Sequence, residues 1–202
     1  MNWEIVIGTI AASLSVLPIL ISLLNRRRAM SRAYLSLREA LRPKERKGLL
    51  LLVGANEATA SQSIEYHLPR LQHCWLISLP EASKTVDSLT NRYGDQLKIH
   101  RYLVSPDEVH STYEIVLRIF DSDVPAVGLQ RDEIIADITG GTKAMAVGMA
   151  LACVACDVAM QHMRILRDES GAPIGWTVAE PIMIDIADIA FASRLTRAEK
   201  HK

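Results

Sequence analysis

The sequence predicts an α/β domain with a mostly parallel sheet, preceded by one N-terminal transmembrane helix. From residue 48 onward, short apolar runs alternate with helical patterns of ten or more residues, which is typical of right-handed βαβ units. Before this domain, residues 5–24 form an uncharged run of twenty residues. The length of 202 residues allows one sizeable domain or two small ones, and the 49% of hydrophobic residues excludes disorder.

The formal net charge of zero is the sum of three different segments. Residues 1–25 carry only Glu4, residues 26–47 carry nine basic and two acidic residues, and residues 48–202 carry 14 basic and 20 acidic residues. Without a general basic surplus, the chain is not expected to bind long nucleic acid independently of sequence. Three cysteines are too few for a secreted disulfide framework, so a reducing compartment is expected.

The first segment, residues 1–25, is predicted to cross a membrane. The uncharged run would span ~30 Å as a helix, which is the thickness of a bilayer hydrocarbon core. Trp3 lies where an interfacial aromatic anchor is expected, and Arg26, Arg27 and Arg28 follow the run. The positive-inside rule then predicts a single-pass protein of the cell inner membrane, with the N-terminus outside and the C-terminal domain cytoplasmic. A cleaved signal peptide fits less well, because both flanks differ from its pattern, and a buried soluble helix is a further alternative.

One face of this predicted span consists of small, polar or helix-perturbing residues. Such residues mediate helix contacts in lipid or face the interior of a bundle, so several copies of the chain are predicted to line a pore. The pore-lining candidates are Glu4, Gly8, Ala11, Ser15, Ser22 and Asn25. Glu4 is predicted to ring the outer mouth, and Ser15 and Ser22 to line the lumen. A plain membrane anchor is the alternative, because these residue types occur in any span.

Residues 26–47 are predicted to form a basic helical linker. Apolar residues recur at spacings of three and four over residues 29–42, and Pro43 with the charges after it marks the boundary of the domain. The domain is assigned to residues 48–202, and residues 181–197 are ambiguous between strand and helix. The predicted strands are 49–53, 74–79, 97–104, 133–138 and two near 160–167 and 175–179, and the predicted helices are 61–71, 81–93, 107–120 and 142–155.

The strongest local motif is DITGGTK at residues 137–143, between a predicted strand and a predicted helix. Its two glycines let the backbone turn sharply and bring N–H groups close to a ligand, and the following helix directs its positive end to the same place. Two threonines add hydroxyls and a lysine adds a charge, so the loop is predicted to bind an anion, most simply a phosphate. A glycine turn that caps a helix is the alternative. The predicted binding residues are Thr139, Gly140, Gly141, Thr142 and Lys143.

A second loop, residues 54–61, directly follows the first predicted strand. Gly54 allows close approach of the backbone, while Asn56, Thr59 or Ser61 could contact a ligand or cap the helix. In parallel sheets, ligands bind beyond the carboxyl ends of the strands. Gly54, Asn56 and Ser61 are therefore added to the predicted ligand site.

The DITGGTK segment and the Gly-Ala-Asn loop together resemble a CARF domain, the CRISPR-associated Rossmann fold. A short domain of this kind behind one membrane span is similar to the transmembrane CARF effectors of type III CRISPR systems. The resemblance implies antiviral defence through binding of a cyclic oligoadenylate second messenger, with cyclic tetra-adenylate expected, across a CARF dimer. It also implies that binding opens a membrane pore of a homo-oligomer, expected to be a tetramer, and depolarises the cell. The binding residues that it implies are Gly140, Gly141, Thr142 and Lys143, with Asn56 and Ser61.

The sequence predicts that the protein is not an enzyme and names no cofactor or metal. Arg194 and His201 match the R-x(4–6)-H pattern of HEPN ribonucleases, but they lie in the last nine residues and the match is expected to be coincidental. Cys153 and Cys156 form a C-x-x-C that is expected to pack in the core. Asp137 is expected to organise its loop. A membrane-tethered ring nuclease and a membrane-anchored nucleotide sensor that recruits a partner remain alternatives.

Overall fold

A computed structural model of the chain describes residues 41–105, 109–166 and 179–184. Within these ranges, six strands form one sheet with helices packed on both faces. The strands are Gly48–Val53 (β1), His73–Ser78 (β2), Lys98–Leu103 (β3), Ile134–Asp137 (β4), Ala159–Ile165 (β5) and Ala179–Ile184 (β6). The helices are Glu57–His67 (α1), Ser83–Tyr93 (α2), Val109–Arg118 (α3), the single turn Val124–Ala126 (α4) and Lys143–Cys156 (α5). A π-helix, Ile119–Asp123, joins α3 to α4, and 3-10 turns lie at Pro80–Ala82 and Arg131–Glu133.

The order of the strands is β3-β2-β1-β4-β5-β6. All neighbouring strands are parallel except β5 and β6, which are antiparallel. The predicted α/β architecture with a mostly parallel sheet is therefore confirmed. The chain moves outward from β1 to β3 and then returns to the other side of β1 to form β4. This reversal opens a crevice at the carboxyl ends of β1 and β4, where open α/β sheets bind their ligands.

The central strand β1 is buried along its whole length because helices cover both faces of the sheet. Leu50 and Leu52 pack on the face that α3 and α5 cover. Leu49 and Leu51 pack on the opposite face, against α1 and α2. Burial on both faces explains why the strand reads as a continuous apolar run rather than an alternating one.

Residues 42–47 lie at the amino edge of the sheet and are not helical. The Lys47 N–H donates to the carbonyl of Glu133 at 3.1 Å, and the Lys47 carbonyl accepts from the N–H of Gln72 at 2.8 Å. The Lys47 ammonium also pairs with the Glu133 carboxylate at 2.6 Å. Pro43 lacks an N–H and disfavours helical geometry in the residue before it, so a helix does not continue through it. Residues 42–47 are thus bound to the domain.

Several sequence predictions fall outside the described residues. These are the transmembrane helix of residues 1–25, its pore-lining candidates, residues 26–40 of the linker, and the Arg194–His201 pair. In the three ranges that the structure describes, no helix is both long enough and apolar enough to cross a membrane.

Candidate functional site

A cavity of about 310 Å³ opens at the carboxyl ends of β1 and β4. Backbone and side chains from the loops after both strands line it, and Met163 and Ile165 of β5 form part of its wall. Five of the eight predicted ligand residues lie on this cavity, namely Gly54, Asn56, Thr139, Gly140 and Gly141. The fold thus brings two loops that are more than eighty positions apart in the sequence to one place, at the point where the strand order reverses.

Close packing between the two loops explains their glycines. A β-carbon at Gly140 would overlap the carbonyl oxygen of Leu52, so the loop after β4 can cross the end of β1 only without a side chain there. Gly141 has φ +69°, which is the left-handed region that favours glycine. A β-carbon at Gly54 would lie 3.3 Å from the backbone nitrogen of Gly141, so the two loops touch through their backbones.

Helices α1 and α5 both begin beside the cavity. The Asn56 Oδ1 accepts from the N–H of Ala58 at 3.1 Å, and its Nδ2 donates to the Thr59 Oγ1 at 3.1 Å. The Thr142 Oγ1 accepts from the N–H of Met145 at 3.2 Å. Both predicted ligand residues therefore cap helices. The capping also directs two helix N-termini, with their partial positive charge, toward the crevice.

Three predicted ligand residues do not line the cavity. Thr142 lies at its margin as the cap of α5, and Lys143 is the exposed first residue of that helix. Ser61 is buried and accepts from the Arg92 Nη1 at 3.1 Å, on the side of α1 that faces α2. Helix α1 begins at Glu57 rather than at the predicted residue 61, which places Ser61 one turn inside the helix and away from the loop.

Asp137 lies beneath the glycine loop and is completely buried. Its Oδ1 accepts from the N–H of Thr139 at 2.9 Å and from the Thr139 hydroxyl at 2.5 Å. Its Oδ2 accepts from the Ser63 hydroxyl at 2.6 Å and from the Gln161 Nε2 at 3.0 Å. With four donors the carboxylate is well satisfied, and it holds the start of the loop in place.

The buried hydrogen bonds continue from Asp137 away from the cavity. The Gln161 Oε1 lies 3.0 Å from the His67 Nε2, and the His67 Nδ1 accepts from the backbone N–H of Arg46 at 3.2 Å. Burial lowers the pKa of His67, which favours the neutral imidazole. Sequence analysis missed Ser63, His67 and Gln161, and the sequence around Ser63 and His67 is itself largely polar, so it gives no local signal of their burial.

The two cysteines of the C-x-x-C belong to the buried core cluster beside α5. Burial raises the pKa of Cys153 to about 12 and also raises the pKa of Cys156. A thiol that stays protonated at neutral pH is a poor nucleophile and a poor metal ligand. Among the residues that the structure describes, no group of three or more His, Cys, Asp or Glu side chains is placed to hold a metal ion.

No protein-family model and no curated protein matches the sequence. The fold is similar to that of Csm6 from Enterococcus italicus, which was solved with bound cyclic hexa-2'-fluoro-hexa-dAMP. The two align with a TM-score of 0.53 and 10% identity, over 77% of this chain and 46% of that one. Can2 from Sulfobacillus thermosulfidooxidans, in complex with cyclic tetra-adenylate, aligns with a TM-score of 0.48 and 16% identity over 59% of this chain and 33% of its own. A type III CRISPR defence DNA nuclease activated by cyclic oligoadenylate aligns with a TM-score of 0.49 and 20% identity over 61% of this chain and 19% of its own. The chain thus spans less than half the length of each of these proteins.

Proposed function

We propose that this protein is a membrane effector of type III CRISPR antiviral defence that binds a cyclic oligoadenylate in the cavity between β1 and β4. The observation that carries the proposal is the backbone contact of the Gly54 loop with the Gly140–Gly141 loop at the switch point of the sheet. Backbone N–H groups, the Thr139 hydroxyl and the N-termini of α1 and α5 suit the phosphates of such a ligand. The resemblance of residues 137–143 to CARF domains selects cyclic oligoadenylate among phosphate ligands. The similar fold of Csm6, which holds a cyclic hexanucleotide analogue, supports this choice.

A second copy of the chain completes the site in this proposal. The cavity of about 310 Å³ is at the lower end of the ~300–1,000 Å³ of ligand pockets, so one copy would enclose only part of a cyclic tetranucleotide. Helix α5 starts at the cavity and exposes Val147, Leu151 and Val154, with 49%, 52% and 53% of their surface accessible. These residues lie on one stripe, and a two-fold dimer would bury it and bring two cavities together.

The dimer is tested by placing a charge on that stripe. Leu151→Glu is expected to leave the protein folded and to dissociate dimers in sedimentation experiments, with a loss of ligand affinity. Leu103→Glu is the control, because Leu103 is a leucine with 65% of its surface accessible on the edge strand β3, away from α5. If both variants assemble and bind like the wild type, α5 does not form the interface.

The membrane part of the proposal rests on the sequence of residues 5–24 and the basic residues of 26–47. A single helix cannot enclose a lumen, so a homo-oligomer, expected to be a tetramer, would line the pore with the small and polar face of its spans. The protein is proposed to act without ligand hydrolysis. Asp137 is the single titratable side chain of the described cavity lining, so the described residues supply no acid–base pair for hydrolysis.

One experiment tests the whole proposal. The full-length protein is reconstituted in liposomes, cyclic tetra-adenylate or cyclic hexa-adenylate is added, and ion flux and ligand integrity are followed together. The proposal expects flux with intact ligand, and linear tetra-adenylate is the control. Ligand turnover without flux would identify a tethered ring nuclease, and binding without flux would identify an anchored sensor. Absence of binding would contradict the ligand site itself.

A further inference from the structure

A continuous series of hydrogen bonds, buried in its central part, crosses the domain from the glycine loop to the amino ends of the strands. We call it the buried polar chain, and its members are Thr139, Asp137, Ser63, Gln161, His67 and the backbone N–H of Arg46. The four central side chains have no accessible surface. Buried polar groups cost free energy unless they are hydrogen-bonded, and each of these has its partner.

Each hydrogen bond in the chain fixes the direction of the next. A backbone N–H can only donate, so the His67 Nδ1 accepts from Arg46 and the Nε2 of the neutral imidazole carries the proton. That proton is donated to the Gln161 Oε1, which turns the Gln161 Nε2 toward Asp137 and Ser63, at 3.0 Å from each acceptor. The Gln161 amide therefore cannot reverse without breaking hydrogen bonds on both of its sides.

Thr139 is the member of the chain that a ligand could reach. It is exposed and lines the cavity, while its N–H and its hydroxyl both donate to Asp137 and its Oγ1 accepts from the N–H of Met163 at 2.7 Å. A phosphate in the cavity would compete with the Asp137 carboxylate for the two donors of Thr139. Asp137 would then keep two of its four hydrogen bonds, one of them from Gln161.

We propose that the buried polar chain couples ligand occupancy at Thr139 to the hydrogen bond that holds Arg46. Gln161 and His67 are positioning residues in this coupling, since each acts through its neighbours rather than on the ligand. One end of the buried polar chain lies at the carboxyl ends of the strands and the other at their amino ends. The length of the six-residue β1, about 20 Å, separates them. Residues 42–47 connect the domain to the predicted membrane span. The buried polar chain therefore ends at the segment through which ligand binding would affect that span. This inference rests on the proposed function for the identity of its ligand.

The first test needs no ligand. Hydrogen–deuterium exchange is measured at the Arg46 amide of the full-length protein in detergent, with the central amides of β1 as the reference for global stability. Thr139→Val is expected to speed exchange at Arg46 by about tenfold relative to the reference, because one end of the chain is broken. Thr59→Val is the matched control, since it removes a threonine hydroxyl from the same cavity but outside the chain. Unchanged exchange at Arg46 in Thr139→Val would overturn the coupling, and Ser63→Ala decides by the same criterion if Thr139→Val does not fold.

The second test adds cyclic tetra-adenylate. In the wild type, bound ligand is expected to change exchange at the Arg46 amide by at least about threefold, and in Gln161→Met this response is expected to vanish. His67→Phe replaces Gln161→Met if the latter does not fold. If the ligand binds and the Arg46 amide does not respond, the coupling is wrong while the proposed function stands. If the ligand does not bind, the proposed function fails, and the ligand-free measurement still decides whether Thr139 and Arg46 are coupled.

Discussion

Two loops flank β4, one at the amino ends of the strands and one at their carboxyl ends. Each loop has a glycine in the left-handed conformation and borders a cavity. The loop before β4 has Gly128 at φ +75° beside a cavity of about 500 Å³. The loop after β4 has Gly141 at φ +69° beside the smaller cavity of about 310 Å³. By size alone, the loop before β4 would be the better candidate for a ligand site.

The surroundings of the two loops reverse that ranking. A side chain at Gly128 would meet nothing within 4 Å, and its cavity is bordered by the exposed ion pair of Arg131 and Asp121. In the loop after β4, Gly140 packs closely against the backbone of Leu52, and the buried Asp137 accepts hydrogen bonds from Thr139 of the loop. Loops that are packed and hydrogen-bonded internally keep their N–H groups in place, so the support of the backbone favours the loop after β4 as the candidate site despite its smaller cavity.

The largest effect that separates the two loops is expected for Gly140→Ala. Because the new β-carbon would overlap a backbone carbonyl of β1, side-chain rotation cannot relieve the clash. The free energy of unfolding is expected to fall by about 3 kcal/mol, and binding of cyclic tetra-adenylate is expected to be lost. Urea denaturation and calorimetric titration measure the two quantities. A variant with wild-type stability would show that the loop is not packed against β1 in this way.

A matched pair of variants compares the two left-handed glycines directly. Gly141→Ala and Gly128→Ala both place a β-carbon at positive φ, which is expected to lower the free energy of unfolding by ~1–2 kcal/mol. The loss is expected to be larger for Gly141→Ala, because its β-carbon would also lie 3.0 Å from the Met145 Sδ. Gly141→Ala alone is expected to weaken ligand binding by a further factor of about ten, because it shifts the N–H groups of the cavity loop. If the two variants bind the ligand with equal affinity, the cavity after β4 is not the ligand site.

A smaller effect is expected from Lys143→Ala. The loss of one charged hydrogen bond should weaken binding of cyclic tetra-adenylate by about tenfold without a change in the urea midpoint. Lys84→Ala is the control, because Lys84 is an exposed lysine in the first turn of α2, which also starts at the carboxyl edge of the sheet. Equal affinities in the two variants would remove Lys143 from the site, in keeping with its place outside the cavity lining.

The smallest effect concerns the support beneath the cavity loop. Burial lowers the pKa of His67 in the folded protein, so the unfolded chain binds more protons at mildly acidic pH. The stability that the neutral His67 contributes is fully present above the pKa of an unfolded histidine, about 6.5, and is lost as the pH falls below that value. His67→Gln is expected to flatten the fall of the free energy of unfolding between neutral pH and pH ~5. An equally steep fall in the variant would mean that His67 does not contribute to it.

Much of the fold follows from local patterns in the sequence. The continuous apolar run of β1 and the Gly-Gly pair after β4 predict a buried strand and a tight loop, and the structure has both. The sequence pattern predicts helix α1 at 61–71, whereas the helix extends from Glu57 to His67, because Asn56 caps its start and Pro69 follows its end.

The last strand shows how tertiary context changes a prediction. The sequence predicts a strand near 175–179, and the structure has β6 at Ala179–Ile184; residues 175–178 lie outside the described ranges. Pro181 lies within this strand and is paired with Met163 of β5. A proline is tolerated there because β6 is the edge strand of the sheet formed by the described residues.

The expectation that Asp137 organises its loop is confirmed by its hydrogen bonds with Thr139, but the buried partners that support Asp137 could not be predicted from local patterns. Ser63, Asp137 and Gln161 meet only after α1, β4 and β5 have packed, and as many as 98 positions separate the hydrogen-bonded residues. In a single sequence, a polar residue in an apolar stretch does not reveal its partner. The glycines of the loop can be interpreted from the sequence because a tight turn depends on neighbouring residues. The buried polar chain forms only when distant segments pack together.

The contact of Gly140 with Leu52 also has a consequence for the order of folding. Leu52 belongs to β1, and Gly140 belongs to the loop after the neighbouring parallel strand β4, far away in the sequence; closing so long a loop of chain is slow and entropically costly. The cavity exists only after β4 has docked beside β1. A nascent chain that has released β1 to β3 from the ribosome, but not yet β4, therefore holds three of the six described strands and only the Gly54–Asn56 side of the candidate ligand site.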